Sequence, residues 1–149
     1  MTKQNPIQSF DALLSQMEKE KIPFKKADGE PSLSVPTRLG DQEAVLHIRW
    51  EAVPGVIQFI QVLPLTVPQA QREKVSVLMN RINFVLPVLG FALNEKNGIM
   101  IYRTQTFLDR NGAIPPGMIG AMIAISAHTA EKFLPQLKAA AGQESYDIL

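Results

Sequence analysis

The spacing of apolar residues changes repeatedly along this 149-residue chain, and no other feature constrains its fold as strongly. In some segments apolar residues recur every three or four positions, as they do on one face of a helix. In others they recur at every second position, which is typical of a half-buried strand. The chain is therefore expected to combine amphipathic helices with a sheet.

Three segments have helical spacing, and prolines or glycines lie at their ends. The predicted ranges are 5–21, 69–86 and 115–142. Asn5 and Pro6 suit the N-cap and the first position of the first helix. The apolar stripe of the second helix consists of Val75, Leu78, Met79, Ile82 and Val85. Pro135 is expected to kink or divide the third helix, because proline removes a backbone hydrogen bond.

Six further segments have the composition and spacing of strands. The predicted ranges are 22–26, 32–39, 44–51, 56–65, 91–94 and 99–106. Short turns join consecutive strands, so the sheet should be antiparallel. Asn97-Gly98 is a strong hairpin signal between the last two strands. The order α-β-β-β-β-α-β-β-α indicates an α+β fold with a twisted antiparallel sheet and helices.

Two details predict where strands lie within the sheet. Pro36 cannot donate a ladder hydrogen bond, so the strand at 32–39 should lie at an edge or end at this residue. The strand at 56–65 is rich in β-branched and aromatic residues, and its glutamines Gln58 and Gln61 fall on opposite faces. We therefore expect it to be a central strand that is covered on both faces.

Composition limits the function classes open to the chain. It contains no cysteine, which excludes disulfides, thiolate metal sites and a cysteine nucleophile. Its 15 Lys+Arg and 14 Asp+Glu give a formal net charge of +1, so no nucleic-acid partner is expected. A hydrophobic content of 46% with 19% charged residues is typical of one globular domain, here over residues 1–149.

Membrane association and export are not expected either. The first ten residues contain no continuous apolar run of signal-peptide length. The charge-free stretch 111–130 contains Pro115-Pro116, and its apolar part has only about 15 residues, whereas a spanning helix needs about 20. The predicted location is cytoplasmic.

Catalytic and metal-binding motifs are missing from the sequence. It has no nucleophile elbow, zinc-protease motif, phosphate-binding glycine loop or calcium loop. His47, His128 and Glu131 are the candidates left for acid–base chemistry or metal binding, and two of them would have to converge in a cleft. We therefore expect no enzyme activity, no cofactor and no metal.

The third helix is apolar around its whole circumference between Gly117 and Ala127. Such a helix must be buried on more than one face, but one sheet can cover only one side of it. Either the first two helices or a partner molecule must cover the rest. Small residues would allow a close approach, and methionines would supply adaptable contacts. The candidate partner-contact residues are Met118, Gly120, Ala121, Met122, Ala124 and Ile125.

Two asparagines near the end of the second helix form a second small group. Asn80 and Asn83 are three residues apart and therefore lie close together on the helix surface. Their amides could satisfy free backbone groups of a neighbouring strand or of the helix terminus. A structural role is expected for both.

The same region carries a resemblance to a known family. Leu78-x-Asn80-x-x-Asn83 is followed by Leu86-Pro87, Phe91-x-Leu93, Asn97-Gly98 and Ile99-x-Ile101-Tyr102. In these residues the chain resembles the YbjN-like family of small bacterial proteins, some of which are described as sensory transduction regulators. The resemblance implies a fold like that of type III secretion chaperones, which are often dimeric and bind extended client segments. It implies no catalytic residues, and this chain is near neutral whereas those chaperones are acidic.

Two function classes follow from these observations. The leading prediction is a non-enzymatic regulatory module, homodimeric, that binds a protein or peptide client by groove packing or by strand addition at a sheet edge. The alternative is a small-molecule sensor with an apolar pocket between the third helix and the sheet, lined by Met118, Met122, Phe59 and Tyr102. A tightly filled core would argue against the sensor.

Overall fold

The computed structural model describes residues 5–143 and contains the helices and strands in the predicted order, which confirms the α+β class. The helices are α1 (Phe10–Lys19), α2 (Arg72–Val85), which follows a 3₁₀ turn at Gln69–Gln71, and α3 (Gly117–Ala140). The strands are β1 (Lys25–Lys26), β2 (Ser32–Leu39), β3 (Gln42–Glu51), β4 (Val56–Thr66), β5 (Phe91–Leu93) and β6 (Ile99–Phe107).

The strands form one antiparallel sheet in the order β1-β2-β3-β4-β6-β5. β4 is central, as predicted, because it pairs with β3 on one side and with β6 on the other. The hairpin between β5 and β6 turns at Gly98, whose φ is +79°. A Cβ at this position would lie 2.3 Å from the carbonyl oxygen of Val67, so only glycine fits.

All three helices pack on the same face of the sheet, over two apolar clusters. The α1 cluster lies under α1 and the first half of α3, and includes Leu13, Met17, Leu46, Ile48, Phe59 and Ile119. The α2 cluster lies under α2 and the second half of α3, and includes Leu63, Val75, Ile82, Met100, Leu134 and Leu137.

A polar seam, consisting of Gln61, Thr104 and Ser126, separates the two clusters. On β4, Gln61 comes between Phe59 of the α1 cluster and Leu63 of the α2 cluster. The hydroxyl oxygens of Thr104 and Ser126 are 2.9 Å apart, and both residues are buried. This hydrogen bond is a polar contact between α3 and β6. On either side of it along the helix, the contacts with the sheet are mainly apolar.

The opposite face of the sheet is not covered by any helix that the structure describes. Val45, Val62 and Ile101 lie side by side in register at its centre and are half-buried. The prediction that β4 is covered on both faces is therefore wrong for this face. Apolar side chains predominate on both sides of β4, and this pattern does not distinguish a helix-covered face from one that neighbouring strands only partly shield.

The first helix begins later than its sequence predicts. Ile7 does not belong to the helix, because its backbone pairs with Ile114 through two hydrogen bonds of 2.8 and 3.0 Å. The N-cap is Ser9, whose hydroxyl accepts a hydrogen bond from the backbone N–H of Ala12 at 3.0 Å. A long-range strand contact therefore outweighs the capping signal at Asn5-Pro6.

Two further boundary predictions need correction. Pro135 does not divide α3, which is one helix from Gly117 to Ala140. The proline lies on the exposed side, where the carbonyl that loses its partner can bind water. The first strand is limited to Lys25–Lys26, since only these residues pair with β2.

Pro36 lies on an unpaired part of β2, as its sequence predicts. β1 pairs with β2 only at Leu33 and Ser34, so β2 has a free edge beyond these residues. The carbonyl of Ser32 faces β1, and alternation then places the backbone of Pro36 on the same outer edge. The missing N–H therefore costs no bond to β3.

Candidate partner-binding surface

The first half of α3 leaves part of its apolar surface open to solvent. Ala121 and Ala124 are exposed, and Ile125 is 37% exposed. We call Gly117, Ala121, Ala124 and Ile125 the α3 face. This half of α3 is therefore not enclosed by the described part of its own chain.

The other three candidate residues lie at the border of the α3 face. Met118, Gly120 and Met122 are half-buried, and the two methionines pack against the α1 cluster. Three of the six candidates are therefore exposed, and the other three lie between the exposed surface and the core. Together they form a surface without a formal charge, because the chain has no Asp, Glu, Lys or Arg between residues 111 and 130.

Gly120 has no evident role in the packing of its own chain. A Cβ at this position would have no neighbouring atom within 4 Å, and its φ is not in the left-handed region. Glycine inside a helix is less stable than alanine by about 0.5–1 kcal/mol. The helix is less stable by this amount, although the packing of the described residues does not require a glycine at position 120.

A second exposed apolar surface lies at the end of α2. Phe84 is 89% exposed, Val85 71% and Leu89 59%, and we call these three residues the α2 patch. The predicted stripe placed Val85 in the core, which is wrong, because Val85 is the last residue of α2 and the chain leaves in an extended conformation at Leu86. Phe84 is a large apolar residue outside the predicted apolar stripe of α2, and this position is the sequence signal that could have indicated an exposed apolar surface.

Tyr102 links the loop that follows α2 to the middle of α3. The Tyr102 hydroxyl donates a hydrogen bond to the carbonyl oxygen of Val88 at 2.7 Å, and the side chain of Thr129 also bonds to Tyr102. The loop that carries Leu89 therefore lies against the turn of α3 that follows Ile125. Burial raises the pKa of the Tyr102 hydroxyl above its usual value, and the Thr129 hydrogen bond partly opposes this shift.

Asn83 closes the outer edge of β5 close to the α2 patch. Its amide nitrogen donates to the carbonyl oxygen of Phe91 at 3.0 Å, and its amide oxygen accepts from the Phe91 N–H at 2.8 Å. These bonds occupy backbone groups that an added strand would need. Asn80, the other predicted structural asparagine, is exposed.

Comparison with known proteins identifies the family of the chain. A family model named YbjN, described as "Putative bacterial sensory transduction regulator", matches residues 10–139. The chain belongs to the YbjN family. A crystal structure described as YbjN, "a putative transcription regulator from E. coli", has a TM-score of 0.66 and 13% identity, covering 92% of this chain and 94% of that one. At this identity the match shows a shared fold. A search of curated proteins finds no match.

The predicted sensor pocket is not formed in the described part of this YbjN-family chain. Phe59 and Tyr102 have no accessible surface and belong to different apolar clusters. Met118 and Met122 pack on the α1 cluster, which does not contain Tyr102. These four residues are therefore core and core-border residues, and they do not line a common cavity.

The candidate acid–base residues are also far from one another in the fold. His47 lies on β3 and points to the face of the sheet without helices, whereas His128 and Glu131 are exposed on α3, on the other side. Within residues 5–143 no three His, Asp or Glu side chains are grouped so that they could hold a metal ion. Nor is any described helix both long and apolar enough to cross a bilayer.

Proposed function

We propose that this YbjN-family chain is a non-enzymatic regulatory module that acts by binding protein, and that it first pairs with a second copy of itself. The proposed contact surface is the α3 face together with the α2 patch. The family description as a sensory transduction regulator supports the regulatory class.

One observation carries the proposal. The outer side of the first half of α3 is exposed and uncharged, and only its inner side packs on the core. Water-facing helix surfaces normally carry charged residues, and an uncharged apolar one is a candidate contact site. The small side chains of Ala121 and Ala124 allow another backbone to come close. The exposed Phe84 supplies the aromatic anchor that such interfaces favour.

A protein or peptide client is the further partner that we propose for the paired molecule. β5 pairs with β6 only as far as Arg103, through Gly90. Beyond it, Gln105 and Phe107 continue β6 without a described neighbour on that side, and Phe107 is 72% exposed. An extended apolar segment could add to this stretch by backbone hydrogen bonding.

A charge introduced on the α3 face tests the pairing. Ala121→Glu should abolish self-association and leave folding intact, because the position is exposed in one chain but desolvated in the pair. Light scattering should give twice the mass of one chain for the unmodified protein and the mass of one chain for the variant. Gln136→Glu, which adds the same charge at an exposed position in the second half of α3, is the matched control and should remain paired.

Two outcomes would contradict this proposal. An unmodified protein with the mass of one chain at every concentration would remove the second copy as a partner. A paired Ala121→Glu variant would place the contact elsewhere on the molecule.

A further inference from the structure

A groove runs along the outer side of α2 towards the end of α3. It has a volume of about 670 Å³, and within the described residues it is open to solvent. Four of its lining residues are Lys74, Val77, Leu78 and Arg81, and we call them the α2 stripe. Val77 is 50% exposed, and both cationic residues are exposed. The groove therefore presents apolar surface between two positive charges.

The spacing of the two cations limits what can bind there. Lys74 and Arg81 are seven residues apart, which corresponds to about 10 Å along the helix axis and to the same side of α2. Phe84 of the α2 patch follows Arg81 by about one turn, so the α2 stripe continues into that patch. A matching helix would present two acidic residues with the same spacing.

The first helix of this chain has that pattern. Asp11 and Glu18 are exposed and seven residues apart, and therefore lie on the same side of α1. Between them are Leu14, which is half-buried against the α1 cluster, and Ser15, which is exposed. We call these four residues the α1 stripe. The two stripes have equal spacing and opposite charge.

Among the described helices, only α1 carries two acidic residues. α2 contains Glu73 alone and α3 contains Glu131 alone. One charge of the other sign flanks each stripe, Lys19 on α1 and Glu73 on α2, at about 80–100° around the helix from the stripe. The matching charges therefore lie on the central line of each stripe, and the exceptions lie at its margin.

α1 does not enter the groove of its own chain. It lies over the α1 cluster, whereas α2 lies over the α2 cluster on the other side of the polar seam, and the two helices do not pack side by side. The matching acidic helix is therefore that of a second copy. In a two-fold pair the contact would form twice, because each copy supplies one α1 and one α2.

We infer that the α1 stripe of one copy packs in the α2 groove of a second copy, where Asp11 and Glu18 pair with Lys74 and Arg81. The equal spacing allows both ion pairs whichever way the two helices run. Ser15 and Val77 face each other at the middle of the contact. This inference rests on the proposed self-pairing and extends the pairing surface beyond the α3 face.

Charge reversal tests both sides of the contact. Lys74→Glu with Arg81→Glu should raise the dissociation constant of the pair at least about tenfold, because like charges then face each other. Asp11→Lys with Glu18→Lys should have a similar effect. The variant with all four changes restores opposite charges and should pair within about threefold of the unmodified protein. Sedimentation at several concentrations measures the dissociation constant, and circular dichroism checks that each variant is folded.

Lys25→Glu with Lys26→Glu is the control for net charge, because it makes the same charge change at two exposed positions on β1. It should leave pairing unchanged. A loss of pairing equal to that of the groove variant would overturn the inference, since net charge would then explain both results. A variant with all four changes that pairs as weakly as either double variant would also overturn it.

Single cysteines test the position of the contact, since the chain has none of its own. A mixture of the Ser15→Cys and Val77→Cys variants should form a disulfide between two chains under mild oxidation, because pairing brings the two thiols together. Ala92→Cys, at an exposed position on the face of the sheet without helices, is the control partner for Ser15→Cys. Its mixed disulfide should form at least about tenfold more slowly. Equal rates would overturn the inference.

The outcomes separate this inference from the proposed function. An unmodified protein that never pairs would remove both. Loss of pairing in Ala121→Glu, together with unchanged pairing in Lys74→Glu with Arg81→Glu, would support the α3 face and overturn the groove contact. The reverse result would support the groove contact and remove the α3 face from the pair.

Discussion

The two halves of α3 bury similar apolar residues against the sheet but differ in what they present on the outside. The second half exposes Glu131, Lys132 and Gln136, and α2 packs beside it. The first half exposes only small or apolar residues on its outer side up to Ile125, and only the short α1 lies on its side of the core.

This difference separates two causes of helix hydrophobicity. In the second half the apolar residues match the core that they contact, and charged residues meet the water. In the first half the apolar residues exceed what the core of one chain can use. A helix that is apolar all round is therefore not buried all round by the described part of its own chain.

The largest expected effect contrasts a core position in the second half with a position on the α3 face. Leu137→Ala should lower the free energy of unfolding by about 2–5 kcal/mol, because Leu137 is fully buried in the α2 cluster. Ile125→Ala, at a residue already 37% exposed, should cost well under half as much. Urea unfolding at a concentration where the protein is unpaired measures both, and equal losses would break the contrast between the halves.

The docking of α2 on β5 should depend on Asn83. Asn83→Ala removes two hydrogen bonds and leaves the Phe91 backbone groups without partners, which should cost about 1–3 kcal/mol. Asn80→Ala, an exposed position on the same helix, should stay within about 0.5 kcal/mol of the unmodified protein. Thermal unfolding followed by circular dichroism distinguishes them, and a similar loss in both variants would refute the role assigned to Asn83.

The position of the loop that follows α2 should depend on the Tyr102 hydroxyl. Tyr102→Phe leaves the Val88 carbonyl without this donor and should cost about 1 kcal/mol near neutral pH. Because the pKa of Tyr102 is raised in the folded state, the unfolded chain ionises first as pH rises above 10.0, and stability falls from there. Urea titrations between pH 8 and pH 11 should show a shallower alkaline loss for Tyr102→Phe, and an identical slope would contradict this account.

The smallest effect is expected at Gly120, and it has opposite signs for folding and association. Gly120→Ala should raise the free energy of unfolding by about 0.5–1 kcal/mol, because alanine stabilises a helix interior and finds open space here. The added methyl group should weaken self-association, since it holds the partner's backbone away. Sedimentation at several concentrations tests the second half of this prediction. Stronger pairing would show that the glycine has no contact role.

Local patterns were sufficient to predict most of the fold. The strand Ser32–Leu39 has the predicted bounds, and the hairpin at Asn97-Gly98 forms because its turn chemistry is local. The start of α1 could not be predicted in this way, since it depends on the pairing of Ile7 with Ile114, more than a hundred residues away.

The candidate surface was predictable only in part. The α3 face follows in part from the uncharged sequence between Gly117 and Ala127, because one sheet can cover only one side of such a helix; whether the first two helices cover the rest could not be read from the pattern. The α2 patch was missed, since Val85 continues the helical spacing and only its position at the helix end exposes it. The open face of the sheet was missed as well, because strand composition does not report where helices pack.

The hydrogen bond between Thr104 and Ser126 fixes α3 lengthwise on the sheet. A slide of the helix by one turn would bring Met122 or Ala130 opposite Thr104 and would leave a buried hydroxyl unpaired, at a cost of about 1–3 kcal/mol. Apolar packing alone would tolerate such a shift more easily. The fold of the chain therefore favours a single position of α3 along its own axis, and this position decides which residues of the helix are presented to solvent.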